Sequence, residues 1–233
     1  MLKIYMDLDD TLIQTQQLFE KFKQSCTNFI LVHDQTDTLK YKDVLAYFNE
    51  REVENIDIYG FKNERFIISW KETFLHFYPE HNPDEIGRLA GLVFEHTAPI
   101  MDGAIEALDA LSEKGYDITI ITCGVDEVQN KRIDDVGIRN YFKDIHVVPY
   151  KNKEMIGSII TDINNSVMIG NSMRSDINPS LQLGIPAIQV EAPNWFHDEV
   201  DIIPTGEYYY CNISEVPTVV AGIEARKVTT VNS

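Results

Sequence analysis

The chain has 233 residues, 44% of them hydrophobic, and a formal net charge of −17, which leaves enough apolar material for one or two domains with real cores. So acidic a composition argues against a nucleic-acid polymer as partner, because such binders neutralise phosphates with Lys and Arg. No stretch approaches the roughly 20 apolar residues that span a bilayer, the early acids argue against a secretory leader, and Cys26, Cys123 and Cys211 form neither a disulfide framework nor a zinc motif; a cytoplasmic protein with no membrane partner is expected.

Leu2–Met6 is a short apolar run that ends in acids and reads as a buried parallel strand. From Gln14 to Thr97 the texture is helical and rich in aromatics. Leu18, Phe22, Phe29 and Ile30 recur near helical spacing, and further helices are predicted over Lys42–Val53 and Glu64–Phe77. A fourth opens with Asn82 as N-cap, Pro83 in the first turn and Glu85 placed for a capping box. The aromatics here read first as the core of a small bundle, Arg51 and Arg65 as surface ion pairs ahead of contacts to a substrate's second anionic group, and Asn49–Glu52 as an exposed face.

After Pro99 short strands alternate with helices. Strands are predicted at Asp117–Thr122, Ile145–Val148, Val167–Gly170 and Ala187–Val190. Helices are predicted at Ala104–Lys114, Glu127–Val136, Glu154–Ile163 and Ile177–Leu183, three of them stopped by Gly115, Gly137 and Gly184. That alternation implies βαβ units and a parallel sheet. Trp195 and Phe196 are expected to close one side of the core, and the tail from Arg226 to fray.

Open parallel sheets gather ligands beyond the carboxyl ends of their strands, and four of the predicted strand ends carry polar groups. The first strand runs into Asp7-Leu8-Asp9-Asp10-Thr11-Leu12. A pair of carboxylates at that position suits two roles: Asp7 attacks phosphorus, and Asp9 protonates the leaving oxygen and later activates water. A plain acidic turn is the bland alternative. The second strand ends in Thr122-Cys123-Gly124, where a hydroxyl can donate to a phosphoryl oxygen. The third is followed by Pro149-Tyr150-Lys151-Asn152-Lys153, where a lysine can neutralise that charge. The fourth ends in Gly170-Asn171-Ser172-Met173-Arg174-Ser175-Asp176, a turn whose acid suits a hard divalent cation or caps the next helix.

Taken in order, acid pair, Thr, Lys and acid at successive strand ends resemble the phosphatases of the haloacid dehalogenase-like (HAD) hydrolase superfamily. The matching segments are DLDDTL at 7–12, Thr122 after DITII, Lys151 after HVVPY, and GNSMRSD at 170–176. The resemblance implies an α/β, Rossmann-like parallel-sheet core with helices on both faces (1–13 and 98–233), interrupted by an all-helical cap domain (14–97). It implies that Asp7 is the nucleophile and a Mg²⁺ ligand, that Asp9 is the acid/base and lends the metal its carbonyl, and that Asp176 completes the metal site. Thr122, Cys123 and Lys151 would bind substrate, with Lys153 a competing choice for the lysine. The fourth motif usually opens Gly-Asp; here Asn171 offers an amide oxygen and no charge, which shifts the metal's charge partner to Asp176. Dehalogenases of the superfamily lack the second aspartate, so Asp9 favours phosphate esters. The expected activity is Mg²⁺-dependent hydrolysis of a small phosphorylated metabolite by a monomer or homodimer, with a phosphomutase or a silent binding protein as alternatives.

Overall fold

The computed structural model describes residues 2–193, 195–198, 200–203 and 205–231. Six parallel strands form one sheet in the order β3-β2-β1-β4-β5-β6: β1 (Lys3–Met6), β2 (Asp117–Cys123), β3 (Asp144–Val148), β4 (Ser166–Gly170), β5 (Ala187–Val190) and β6 (Tyr208–Cys211). The central strand β1 is flanked by β2 and β4, with Met6 level with both Ile120 and Ile169. Strands are added outward in one direction from β1 to β3 and in the other from β4 to β6, and this switch beside β1 opens a crevice at its carboxyl end. Ile4 and Met6 are fully buried, as expected of a strand covered on both faces, and each such side chain contributes about 1.5–3 kcal/mol.

Between β1 and Pro99 come five α-helices: α1 (Thr15–Val32), α2 (Tyr41–Glu54), α3 (Ile56–Tyr59), α4 (Asn63–Phe77) and α5 (Asp84–Gly91). They bury a core of their own around Phe48, Phe66, Trp70 and Phe74. Phe48 and Trp70 stack with ring centroids 3.9 Å apart. The bundle reading of the aromatics therefore holds for these residues, and the insertion is an all-helical cap. Two connecting segments run side by side at its base: Ile13 bridges Ile100, Gln14 N–H donates to Pro99 O at 2.8 Å, and Met101 N–H to Leu12 O at 2.8 Å. The α5 start differs by one residue from expectation, because Asn82 caps the N–H of Asp84 and Pro83 precedes the helix.

The remaining helices, α6 (Ala104–Glu113), α7 (Asp126–Asp135), α8 (Lys153–Ile159), α9 (Asn178–Gln182) and α10 (Val216–Val231), belong to the α/β core. Sequence reading missed β6 and α10. The tail expected to fray is instead helix to Val231, tied down by Glu224, which accepts from Leu2 N–H and Tyr116 OH, and by Lys227, which donates to Asn164 O. Asn232 and Ser233 lie outside the described residues. Among the described residues no helix is long and apolar enough to cross a membrane.

Candidate active site

Asp7 is the first residue beyond β1, and its N–H still donates to Ile169 O at 2.9 Å. The carboxylate is therefore delivered by the sheet itself, at its topological switch point. Lys151 Nζ lies 2.5 Å from Asp7 Oδ1 and 2.5 Å from Asp176 Oδ1. All three side chains are buried. Of the two lysines, Lys151 is the one brought to Asp7; Lys153 begins α8 and is exposed. Burial works against the Lys151 ammonium, but the carboxylates of Asp176 and Asp7 outweigh it and hold it charged. Burial pushes Asp7 up to about 7; Lys151 pulls the other way, and Asp176 and Asp9 add to the rise. Burial likewise raises Asp10 to about 8 and Asp198 to about 6. The cavity thus holds more carboxylate than Lys151 alone compensates.

Asp176 sits in a π-helical turn, Met173–Ile177, a local widening often found at functional sites. It does not cap that turn. Ser172 does, accepting from Ser175 N–H at 3.0 Å, while Asp176 Oδ2 accepts from Ser172 N–H at 3.0 Å. Gly170 makes room for it: a Cβ there would stand 2.3 Å from Asp176 Oδ2. Asn171 is buried beside them, and Thr11 Oγ1 donates to Asp7 Oδ2 at 3.1 Å and to Asn171 Oδ1 at 3.4 Å.

Asp9 is held by groups the sequence reading did not single out. Thr15 Oγ1 donates to Asp9 Oδ1 at 2.6 Å, Gln129 Nε2 to Asp9 Oδ2 at 2.6 Å, and Arg132 Nη1 to Asp9 Oδ1 at 2.9 Å. Gln129 and Arg132 come from α7 and are buried. Their signal was weak, because a Gln and an Arg three residues apart on a polar helix read as surface. Thr122 is fully buried, and its hydroxyl accepts from Gln129 Nε2 at 2.6 Å. Its side chain stands behind the cavity wall, which Cys123 and Gly124 form at this point. Burial keeps the Cys123 thiol protonated, pushed up to about 12, so Asp7 rather than Cys123 is the group suited to attack.

The cavity, about 160 Å³, is walled by both the core and the cap. Cap residues Phe19, Lys23, Glu52, Phe61, Arg65 and Phe94 reach it, as do Trp195 and Asp198 from the core. Two expectations are corrected. Glu52 is 2% exposed, not part of a solvated face, because it pairs with Lys23 and Arg65 inside the cap. Arg65 is buried rather than at the surface. Trp195 stands over Arg65, its ring centre 4.9 Å from the guanidinium carbon. Of Phe196 only the backbone, in the turn Phe196–Asp198, is among the described residues.

The family model for the haloacid dehalogenase-like hydrolases matches residues 4–190. The chain belongs to that family. Family membership brings hydrolytic chemistry through an aspartate nucleophile. Pyrimidine 5′-nucleotidase PynA of Streptococcus pneumoniae is 22% identical over 217 residues, covering 88% of this chain and 90% of its own. Among solved structures, a haloacid dehalogenase-like hydrolase from Xanthomonas campestris superposes with TM-score 0.78 at 21% identity, covering 98% of each chain. The HAD hydrolase YfnB of Bacillus subtilis, solved bound to magnesium, gives 0.67 at 19% identity over 94% of this chain and 99% of its own. Haloacid dehalogenases also share the fold.

Proposed function

We propose that this chain is a Mg²⁺-dependent phosphatase that hydrolyses a small phosphomonoester, with a nucleoside monophosphate the favoured class, through an aspartyl-phosphate on Asp7. The observation that carries the reading is the second carboxylate, Asp9, fixed by Thr15, Gln129 and Arg132 two residues from Asp7. A dehalogenase has no leaving oxygen to protonate and no use for such a group; an ester hydrolase needs one. The full-length similarity to a pyrimidine 5′-nucleotidase supports the same class. We take residues 1–13 and 98–233 as the core domain and 14–97 as the cap.

The residues fit a hard divalent cation. Among the described residues no three His, Cys, Asp or Glu side chains cluster as a metal site, so two carboxylates, Asp7 and Asp176, would be joined by the Asn171 amide oxygen and the Asp9 carbonyl. This all-oxygen donor set suits Mg²⁺, and burial, which raises Asp7 with Asp176 and Asp9 adding to it, favours a further cation beside these carboxylates. When bound, Mg²⁺ supplies charge neutralisation at the phosphoryl oxygens.

The residues of the chain would carry the rest. Lys151 orients the Asp7 carboxylate and balances phosphoryl charge. An Asp7 oxygen attacks phosphorus in line, the phosphorus–ester oxygen bond breaks, and Asp9 acts as the general acid that delivers a proton to the departing oxygen. Water then attacks the phosphorus of the aspartyl-phosphate while the Asp9 carboxylate takes its proton, which frees inorganic phosphate and restores Asp7. The test is trapping: acid quench during turnover of a radiolabelled ester should leave hydroxylamine-labile label on the protein and none on Asp7→Asn. Halide release from 2-haloacids, without phosphate release from any ester, would establish a dehalogenase instead.

A further inference from the structure

The cavity that reaches Asp7 is also walled by a buried polar cluster in the cap. Lys23 of α1 lies 3.6 Å from Glu52 Oε2 of α2, and Arg65 Nη1 of α4 lies 3.3 Å from Glu52 Oε1. Lys23, Glu52 and Arg65 are 5%, 2% and 9% exposed. The guanidinium carbon of Arg65 stands 5.3 Å from the ring centre of Phe61 and 4.9 Å from that of Trp195.

The cluster is incompletely satisfied. Arg65 Nε and Nη1 have no acceptor in hydrogen-bond geometry, and Glu52 Oε2 has no donor. A buried group left so costs about 1–3 kcal/mol, and buried polar groups in native proteins are nearly always paired. An ion pair whose task was only to hold the cap together would close its own hydrogen bonds. What is missing is acceptors for Arg65 Nε and Nη1 and a donor for Glu52 Oε2, on residues that line a cavity with aromatic walls.

That complement selects a ligand. A second phosphate or a carboxylate at the far end of the substrate would satisfy Arg65 but confront the Glu52 carboxylate. An apolar group would satisfy neither. A flat neutral ring with an adjacent acceptor and N–H meets both, and it can lie against Phe19 or Phe94, which line the same cavity. We propose that Glu52 and Arg65 read the hydrogen-bonding edge of a nucleobase: Arg65 donates to a ring carbonyl or ring nitrogen, and Glu52 accepts from the neighbouring N–H. This rests on the phosphatase reading above and adds to it the residues that choose the substrate. Lys23 balances the Glu52 charge, and it explains why a carboxylate is tolerated beneath the cap.

The experiment compares uridine 5′-monophosphate with its 3-methyl derivative, which lacks the N–H that Glu52 would accept, and uses p-nitrophenyl phosphate as the ester with no base. On the unaltered chain, kcat/KM should favour the unmethylated nucleotide by about tenfold or more. In Glu52→Gln that preference should shrink several-fold, whereas a merely structural loss would lower both substrates together and leave their ratio intact. Hydrolysis of p-nitrophenyl phosphate with no preference between the two nucleotides overturns the proposal and leaves the phosphatase reading standing. An undiminished preference in Glu52→Gln also overturns it. Release from no ester at all removes the phosphatase reading, and the proposal falls with it. If Glu52→Gln does not fold, the analogue comparison on the unaltered chain still decides.

Discussion

Lys151 Nζ lies 2.5 Å from Asp7 Oδ1, and both side chains are buried at the carboxyl end of the central strands. The same ammonium reaches Asp176 Oδ1, so a single positive charge spans two carboxylates supplied by β1 and by the turn after β4. Lys151→Met should therefore damage both activity and fold. Removing one partner of a buried pair costs about 3–5 kcal/mol, because the other charges stay behind unpaired. A lower denaturant midpoint, together with loss of turnover, is expected; unchanged stability would mean the pair is not formed in solution.

Gly170 serves Asp176 by absence. Any Cβ at residue 170 would come within 2.3 Å of Asp176 Oδ2 and 2.7 Å of its Cβ. Gly170→Ala must displace the acid or the strand end, at about 1–3 kcal/mol. Activity should fall at limiting Mg²⁺ and recover in part at high Mg²⁺, measured by titrating metal against rate. A variant with the metal dependence of the parent would show that Asp176 is not a metal ligand.

Arg132 and Gln129 position Asp9 from α7. Proton transfer depends on sub-ångström placement, and a misplacement of about 1 Å can cost about 10²-fold. Gln129→Leu removes one donor to Asp9 and the donor to the Thr122 hydroxyl. We expect kcat to fall about 10- to 100-fold while KM changes little, with Gln129→Glu failing to rescue because it offers no N–H. A fall in KM-dependent binding with kcat intact would assign these residues to the substrate instead.

The parts of the fold that the sequence made legible were those whose signal is local. β1 was readable because a strand covered on both faces has to be apolar throughout, and α6 and α7 because a glycine follows each. Asp7, Asp9, Lys151 and Asp176 were readable because strand ends in a parallel sheet converge. Gln129, Arg132, Glu52 and Lys23 were not, since nothing in a helical sequence tells a buried polar side chain from a solvated one until its partner across the cavity is known. Thr122 was legible by its place at a strand end, but the partner of its hydroxyl, Gln129, was not. β6, Tyr208–Cys211, lacked the apolar run of the other strands because it is the edge strand and Tyr210 faces solvent.

Asp34 follows the end of α1, and it accepts from the N–H groups of Thr36 and Leu39 and from the Thr36 hydroxyl. The Thr36 hydroxyl first, then the Leu39 and Thr36 N–H groups, hold its carboxyl down at about 2. Its folded-state value is thus below the unfolded one of about 3.9, so its contribution is complete at pH values above the unfolded value and is lost as pH falls through about 2. Thermal scans between pH 5 and pH 2 should show a shallower loss of stability for Asp34→Ala than for the parent. Parallel curves would contradict the linkage.

The central claim is that Asp7 is the phosphoryl acceptor of a metal-dependent phosphatase. The most direct measurement is phosphate release from p-nitrophenyl phosphate and a panel of metabolite phosphates, with Mg²⁺, with chelator, and with Asp7→Asn. Release that needs Mg²⁺ and falls at least ~10³-fold in the variant, whose fold should be intact because the substitution removes surplus buried charge, is the predicted result. Release that survives chelator, or an Asp7→Asn protein with activity near the parent's, would contradict it.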